Sequence, residues 1–181
     1  MEAPSEWPLE IKESYDPIRE LGKGSFATVV LANNNKTTTG SDDKVAVKVV
    51  GSIHEISINH TAAHIKQQRE EAVMYAKREI EILKNVEHRN IVRLFDHWLA
   101  NESESQTNKT NTAAVLVLQY AKGPTVEALL KYGGALSTTF ARVVIAQAMD
   151  AISYLHSRAV LHRDIKPDNI LGKPYGRERS T

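Results

Sequence analysis

The chain has 181 residues, 41% of them hydrophobic, which is enough to bury the core of one domain or of two small lobes. Lysine and arginine number 23 against 22 aspartate and glutamate, and this balance argues against a nucleic-acid partner or an acidic membrane. The chain has no cysteine, no apolar run that could span a bilayer and no secretory signal at its acidic start, so we expect a cytoplasmic or nuclear protein.

Residues 1–14 are predicted to be an N-terminal tail, and a pair of strands at 18–21 and 28–31 follows. Gly22 and Gly24 lie in the turn between them, where glycine lets the backbone approach a ligand and leaves N–H groups for phosphate oxygens. Taken alone, the turn fits a plain hairpin equally well.

The same turn also fits a dinucleotide-binding fingerprint, with Ala27 in the third glycine position and Asp42 or Asp43 near the distance of a ribose-binding acid. That fingerprint opens a helix, whereas this strand leads into the polar segment 33–40. The sequence also lacks the G-x-x-x-x-G-K-[ST] pattern of a P-loop.

Residues 44–50 predict a strand that places Ala46 and Lys48 on one face and its valines on the other. A lysine in such an apolar strand either snorkels to solvent or points at phosphates. The glycine turn upstream favours phosphates. Ala46 is small enough to lie under a flat ring.

Residues 51–66 are polar and predict a flexible insertion, since their three histidines do not have metal-ligand spacing. From about 67 to 86 the pattern becomes helical. The apolar stripe of this helix consists of Val73, Ala76, Ile80 and Leu83. Glu79 borders the stripe and is either a surface acid or the partner of Lys48.

Residues 91–94 and 113–120 predict two further strands, separated by a Ser/Thr/Asn-rich loop at 101–112. The second strand ends at a hinge near Gly123-Pro124. Backbone groups from Gln119 to Ala121 would be available to the edge of an adenine ring.

The C-terminal half predicts a short helix at 126–132 and a long helix capped by Ser137. The apolar stripe of the long helix consists of Phe140, Val144, Ala148, Ile152 and Leu155. A polar loop with the sequence His162-Arg-Asp-Ile-Lys-Pro-Asp-Asn169 follows. It carries an acid, a cation and an amide between apolar flanks.

The order and spacing of four motifs resemble those of the eukaryotic protein kinases, of the serine/threonine type. The motifs are the turn from Gly22 to Val29, the Val45-Ala46-Val47-Lys48 strand, the helix bearing Glu79, and His162-Arg163-Asp164 with Asn169. The resemblance covers about residues 15–171. It implies an α+β fold, with an antiparallel sheet lobe that carries one long helix and an incomplete helical C-terminal lobe.

The resemblance also implies roles for individual residues. Asp164 would accept the proton of the substrate hydroxyl, Lys166 would steady the transferred phosphoryl group, and Asn169 would hold Mg²⁺. Lys48 would contact the ATP phosphates and pair with Glu79. The remaining nucleotide-binding positions would be Leu21, Gly22, Gly24, Ala27, Val29, Ala46, Leu118, Gln119, Ala121 and Leu171.

The implied domains are an N-lobe at 15–120, a partial C-lobe at 121–171 and a divergent tail at 172–181. The family continues past Leu171 into Asp-Phe-Gly, whereas no aspartate follows Asp168 here. We therefore expect a truncated form that lacks one magnesium ligand and the substrate-binding helices, which puts its activity in question.

Two functional hypotheses remain open. In the first, the chain is the ATP-binding part of a serine/threonine kinase that acts on a protein substrate. In the second, it is an inactive nucleotide-binding or interaction module. In either case the apolar stripe of the long helix would be exposed, as an aggregation hazard or as a surface for a protein partner.

Overall fold

The computed structural model describes residues 7–24, 27–36, 43–51, 62–99 and 112–172. The chain divides into two compact units, Met1–Asn85 with Arg93–Tyr120 (unit 1) and Val86–Val92 with Ala121–Thr181 (unit 2). A five-stranded antiparallel sheet lies in unit 1, and the predicted α+β fold is confirmed. Most of the predicted insertions at 51–66 and 101–112 and of the tail at 172–181 lie outside the described residues.

The sheet of unit 1 has the strand order β1-β2-β3-β5-β4. Its strands are β1 Tyr15–Lys23, β2 Ala27–Asn34, β3 Lys44–Val50, β4 Leu94–Leu99 and β5 Ala114–Gln119. The predicted strands before and after the glycine turn and at 44–50 and 113–120 are confirmed. The strand predicted at 91–94 is wrong, because the Ile91 N–H donates to the His88 carbonyl in a turn and the strand begins only at Leu94.

Alternation along β3 and β5 gives the sheet two apolar faces. Val45, Val47 and Val49 belong to a core cluster on one face, together with Val115 and Val117 of β5. Val50 belongs to the cluster on the other face, which we call the helix face. The prediction that all valines of β3 lie opposite Lys48 is therefore wrong for Val50, because residues two apart share a face.

Helix α2 spans Ala62–Lys84 and packs on the helix face. It begins earlier than predicted, so residues 62–66 are helical rather than part of the insertion. Its buried residues are Ala72, Ala76 and Ile80, all at the four-residue spacing of one helix face. Ala72 therefore holds the core position that was predicted for Val73, which is only half-buried.

Part of the predicted N-terminal tail, at residues 7–12, packs on the sheet of unit 1. Helix α1 spans Leu9–Lys12, and Ile11 lies in the core cluster opposite the helix face. The Trp7 indole N–H donates to the Tyr15 carbonyl over 2.9 Å, and the Trp7 ring packs against the same cluster. Apolar residues at 7 and 11 cover sheet surface that would otherwise be exposed to water.

Unit 2 contains helix α3 at Val126–Gly133 and helix α4 at Thr138–Ser157. The Ser137 hydroxyl accepts a hydrogen bond from the Phe140 N–H, which confirms the predicted cap. The predicted stripe of α4 is buried only at Leu155, whereas Phe140 is 43% exposed. The residues between them on the stripe are half-buried.

The segment 86–92 lies between α2 and β4 in sequence but packs on α4 of unit 2. The His88 imidazole stacks on Tyr154, and its Nε2 lies 3.3 Å from a carboxylate oxygen of Asp150. The side-chain amide nitrogen of Asn90 donates to the same carboxylate over 3.0 Å. The predicted N-lobe at 15–120 is thus interrupted, because these polar side chains find their partners on α4.

Candidate functional site

The glycine turn joins β1 to β2. Gly22 pairs with Val29, and the Gly24 N–H donates to the Ala27 carbonyl over 2.8 Å, which closes the turn. Gly22 is exposed, and a Cβ built on it would meet no atom within 4 Å. The ladder is irregular between Glu20 and Gly22, so Leu21 lies at the point where the strand bends.

The strand register brings four predicted nucleotide-binding residues together on the helix face. Val29 lies directly opposite Lys48, and Ala46 lies directly opposite Leu118 of β5. Each of the four is partly exposed, unlike the fully buried valines on the opposite face. The arrangement leaves an apolar surface beside one cation.

Lys48 and Glu79 form an ion pair, with Lys48 Nζ 2.5 Å from Glu79 Oε2. The two residues are brought together because Ile80, next to Glu79, is buried against the helix face that also carries Lys48. Their side chains keep 28% and 36% of their exposure, so the pair is neither fully solvated nor sealed in the core. A charge-assisted hydrogen bond of this kind fixes the direction of the ammonium group.

The predicted hinge is only partly available for hydrogen bonding. The Gln119 N–H already donates to the Arg93 carbonyl over 2.8 Å. Sequence alone could not reveal this bond, because Arg93 lies outside the ladder of β4. Ala121 is the first residue of the second segment of unit 2.

In unit 2 the polar loop gathers three predicted site residues around one carboxylate. Asp164 Oδ2 lies 3.0 Å from Lys166 Nζ and accepts a hydrogen bond from Asn169 Nδ2 over 2.8 Å. Asn169 Nδ2 also donates to the Asp164 carbonyl over 2.8 Å. The hydrogen bonds from Lys166 and then Asn169 lower the pKa of Asp164, so this carboxyl stays ionised below its usual range.

Both ends of the loop are fixed by backbone contacts. At its start, the Val160 N–H donates to the carbonyl of buried Leu155, while Ala159 adopts a left-handed φ of 57°. Ala159 thus occupies the position that glycine usually takes at a helix end. At its end, residues 167–169 form a 3₁₀ turn, and Leu171 forms a β-bridge with Thr125.

Carboxylate and amide oxygens are suitable ligands for Mg²⁺. The side-chain nitrogen of Asn169 donates to Asp164, so the amide oxygen is the Asn169 atom that a cation could use. Over the described ranges no group of three or more His, Asp or Glu side chains could hold a metal. The amide oxygen of Asn169 could therefore serve such an ion as one ligand.

Two sets of contacts in unit 2 are not predicted by the sequence. The first is the contact of His88 and Asn90 with α4. A polar stretch between a helix and a strand was its one indication in the sequence. The second is the close backbone contact between Gly123 and Gly172, which the sequence indicates only by having glycine at both positions.

A lysine paired with a helical glutamate on a five-stranded sheet, and an Asp-x-Lys-x-x-Asn loop after a helix, are each features of a protein kinase. The family described as protein kinase domain matches residues 15–177. The chain belongs to this family, whose members use ATP and Mg²⁺.

The relatives that the chain matches include protein kinases, two of which are named as serine/threonine kinases. The probable serine/threonine-protein kinase fhkA of Dictyostelium discoideum is 32% identical over 168 residues, 92% of this chain and 24% of that protein. CBL-interacting protein kinase 11 of Oryza sativa subsp. japonica is 34% identical over 157 residues, 87% of this chain and 26% of that protein. CBL-interacting serine/threonine-protein kinase 19 of Arabidopsis thaliana is 35% identical over 158 residues, 87% of this chain and 27% of that protein.

The chain spans about a quarter of the length of these relatives. In the part of the chain that the structure describes, no helix is long and apolar enough to cross a membrane.

Proposed function

We propose that this chain carries the nucleotide-binding and catalytic-loop residues of a protein serine/threonine kinase. The reaction would transfer the γ-phosphoryl group of ATP to a serine or threonine hydroxyl of a protein substrate. The ion pair between Lys48 and Glu79 carries this proposal. A lysine held by a carboxylate on the helix face, beside exposed glycine backbone, is suited to the phosphates of a nucleotide.

The apolar residues beside Lys48 would receive the adenine ring. Val29, Ala46 and Leu118 leave a partly exposed apolar surface, and Ala46 is small enough for a ring to lie against it. The other predicted contacts are assigned to Leu21, Gly22, Gly24, Ala27, Gln119, Ala121 and Leu171. Because the Gln119 N–H is engaged, its carbonyl is the group that we assign to the adenine edge.

Asp164 would act on the substrate hydroxyl. Its lowered pKa keeps it an acceptor, so it orients the hydroxyl and takes the proton as the oxygen bonds to the γ-phosphorus. The bond from that phosphorus to the bridging oxygen breaks, and ADP leaves. Lys166, 3.0 Å from Asp164, would neutralise charge on the transferred group.

When bound, Mg²⁺ would neutralise the phosphate oxygens of ATP. Asn169 would hold it through the amide oxygen. The two hydrogen bonds from its nitrogen to Asp164 orient this amide.

The test begins with ATP binding to the 181-residue chain, measured by calorimetry. Lys48→Met should weaken binding roughly 10-fold to 100-fold, the usual effect of losing a charge-assisted hydrogen bond. Lys44→Met is the matched control, because it removes a charge from the same strand without touching Glu79. An equal loss in both variants, or no binding by the unmodified chain, would contradict the proposal.

Phosphoryl transfer is measured next, with labelled MgATP and a mixture of serine and threonine peptides. Asp164→Asn should lower the rate by about 10²-fold to 10⁴-fold while leaving ATP affinity unchanged. If the unmodified chain binds ATP and transfers nothing, the nucleotide-binding module is the better description.

A further inference from the structure

Two segments of unit 2, at 123–126 and 170–172, run antiparallel directly after the polar loop at 162–169. The Gly123 N–H donates to the Gly172 carbonyl over 3.0 Å, and the Gly172 N–H donates to the Pro124 carbonyl over 2.9 Å. The Val126 N–H donates to the Ile170 carbonyl over 2.9 Å. The pairing thus joins the stretch before α3 to the residues that follow Asn169.

The approach of the two backbones is closest at Gly123. A Cβ built on Gly123 would lie 2.3 Å from the Gly172 carbonyl oxygen and 2.7 Å from its carbonyl carbon. Both atoms belong to the backbone, so no side chain can swing away to make room. Gly123 does not have a left-handed φ, and the need for glycine here is therefore one of space alone.

Backbone hydrogen bonds restrict the movement of the residues between this contact and Asp164. Ile170 directly follows Asn169, its N–H donates to the Pro167 carbonyl, and the Asn169 N–H donates to the Lys166 carbonyl. A shift of Gly172 away from a side chain at 123 would therefore move Ile170 and then Asn169. The Asn169 amide would lose its alignment with Asp164, which it reaches at 2.8 Å.

We infer that Gly123 is a positioning residue for Asn169, acting through the Gly172 carbonyl. In the proposed kinase, on which this role rests, the contact sets where the amide oxygen of Asn169 meets the metal. Backbone hydrogen bonds, which need no side chain, hold the C-terminal end of the polar loop in this pairing.

The test uses the 181-residue chain labelled with ¹⁵N and compares Gly123→Ala with Gly133→Ala. A Cβ on Gly133 would meet nothing within 4 Å, so this variant adds the same methyl group without a contact. Gly123→Ala should shift the amide resonances of Gly172 and Ile170 and the side-chain NH₂ resonance of Asn169. Gly133→Ala should leave all three in place.

Rates of phosphoryl transfer sharpen the result, because a misplacement of about 1 Å can lower a rate by up to about 10²-fold. Gly123→Ala should lower kcat and leave the affinity for ATP without magnesium unchanged, which a general loss of stability would not do. A folded Gly123→Ala chain with unshifted Asn169 resonances would overturn the inference.

If Gly123→Ala fails to fold, Gly172→Ala takes its place. Its Cβ would lie 3.0 Å from the Pro124 carbonyl oxygen, a milder contact that should shift the Asn169 resonance by a smaller amount. An unchanged Asn169 resonance in that variant would also overturn the inference. The spectra are recorded without nucleotide, so failure of ATP binding would count against the proposed kinase and not against this contact.

Discussion

The two groups of polar side chains in this chain are held in different ways. Lys48 and Glu79 project from a strand and a helix whose facing surfaces are buried, and their side chains are 28% and 36% exposed. Asp164 and Lys166 project from a loop, and their side chains are 63% and 51% exposed. The first pair is positioned by the core beneath it, whereas the second is positioned by hydrogen bonds within the loop.

This difference predicts which kind of substitution should displace each group of side chains. Loss of core volume under α2 should displace Glu79, even though the substituted residue never touches Lys48. The loop has no such core and should respond instead to its backbone conformation at each end. Two substitutions test this comparison, and a third tests whether an exposed ion pair adds to the packing of unit 1; they follow in order of expected size.

The largest effect is expected for Ile80→Ala in α2. Ile80 is 1% exposed, and removing its buried carbons should lower the free energy of unfolding of unit 1 by about 2–5 kcal/mol. Urea unfolding followed by tryptophan fluorescence measures this, because both tryptophans, Trp7 and Trp98, pack on the core of unit 1.

Met74→Ala on the same helix is the control, since Met74 is 57% exposed. It should change the free energy by no more than about 0.5 kcal/mol. Similar losses in the two variants would mean that the burial of Ile80 under α2 does not stabilise unit 1.

The second effect is a gain in stability from Ala159→Gly at the start of the loop. Ala159 has a φ of 57°, which costs an L-residue about 1–2 kcal/mol, and the greater freedom of glycine in the unfolded chain offsets part of the gain. A net stabilisation of about 0.5–1 kcal/mol is expected. Slower hydrogen exchange at the Val160 N–H, which is bonded to Leu155, would report it.

Ala151→Gly in the middle of α4 is the control, and its expected effect on stability has the opposite sign. There the backbone is helical, and glycine should destabilise by about 1 kcal/mol. If Ala159→Gly also destabilises, the loop is not limited by backbone strain at that residue.

The smallest effect concerns Asp96 in unit 1, which accepts a hydrogen bond from Lys36 Nζ over 2.7 Å. Burial opposes the charged carboxyl, but hydrogen bonds from Lys36 and from the His97 N–H outweigh it and lower the pKa of Asp96 from its usual 3.8. Stability from this group is therefore present above pH 3.8 and is lost as the pH falls through the lower folded value.

The contribution should stay below about 1 kcal/mol, since the Asp96 side chain is 40% exposed. Urea midpoints between pH 7 and pH 2 measure it in the unmodified chain and in Asp96→Asn. The variant should lose less stability on acidification, and parallel curves would show that charge pairing adds nothing to the packing of unit 1.

Much of the candidate site follows from local sequence pattern. Alternation in β3 predicts that Lys48 and Ala46 share a face, and helical spacing predicts Glu79 beside a buried stripe. Both are confirmed by the strand register and by the ion pair. Strong periodicity specifies an element and its faces without any knowledge of its neighbours.

Contacts between distant residues did not follow from pattern. The Tyr15 hydroxyl donates to Asp96, 81 residues away, and the burial of Trp7 and Ile11 depends on sheet surface made by other strands. Ala72 rather than Val73 is buried, because α2 is rotated by what it packs against. Such choices are decided by tertiary packing, which local propensity does not contain.

The division of unit 2 into two stretches of chain also bears on how the protein is made. His88 and Asn90 emerge from the ribosome long before Asp150 and Tyr154, their partners on α4. The ribosome must add residues 93–157 first, which takes roughly 3–13 seconds at about 5–20 residues per second. Strands β4 and β5 are synthesised in that interval and complete the five strands of unit 1, so its sheet can assemble before 86–92 contacts α4. A fragment that starts at residue 121 would carry Asp150 and Tyr154 without their partners.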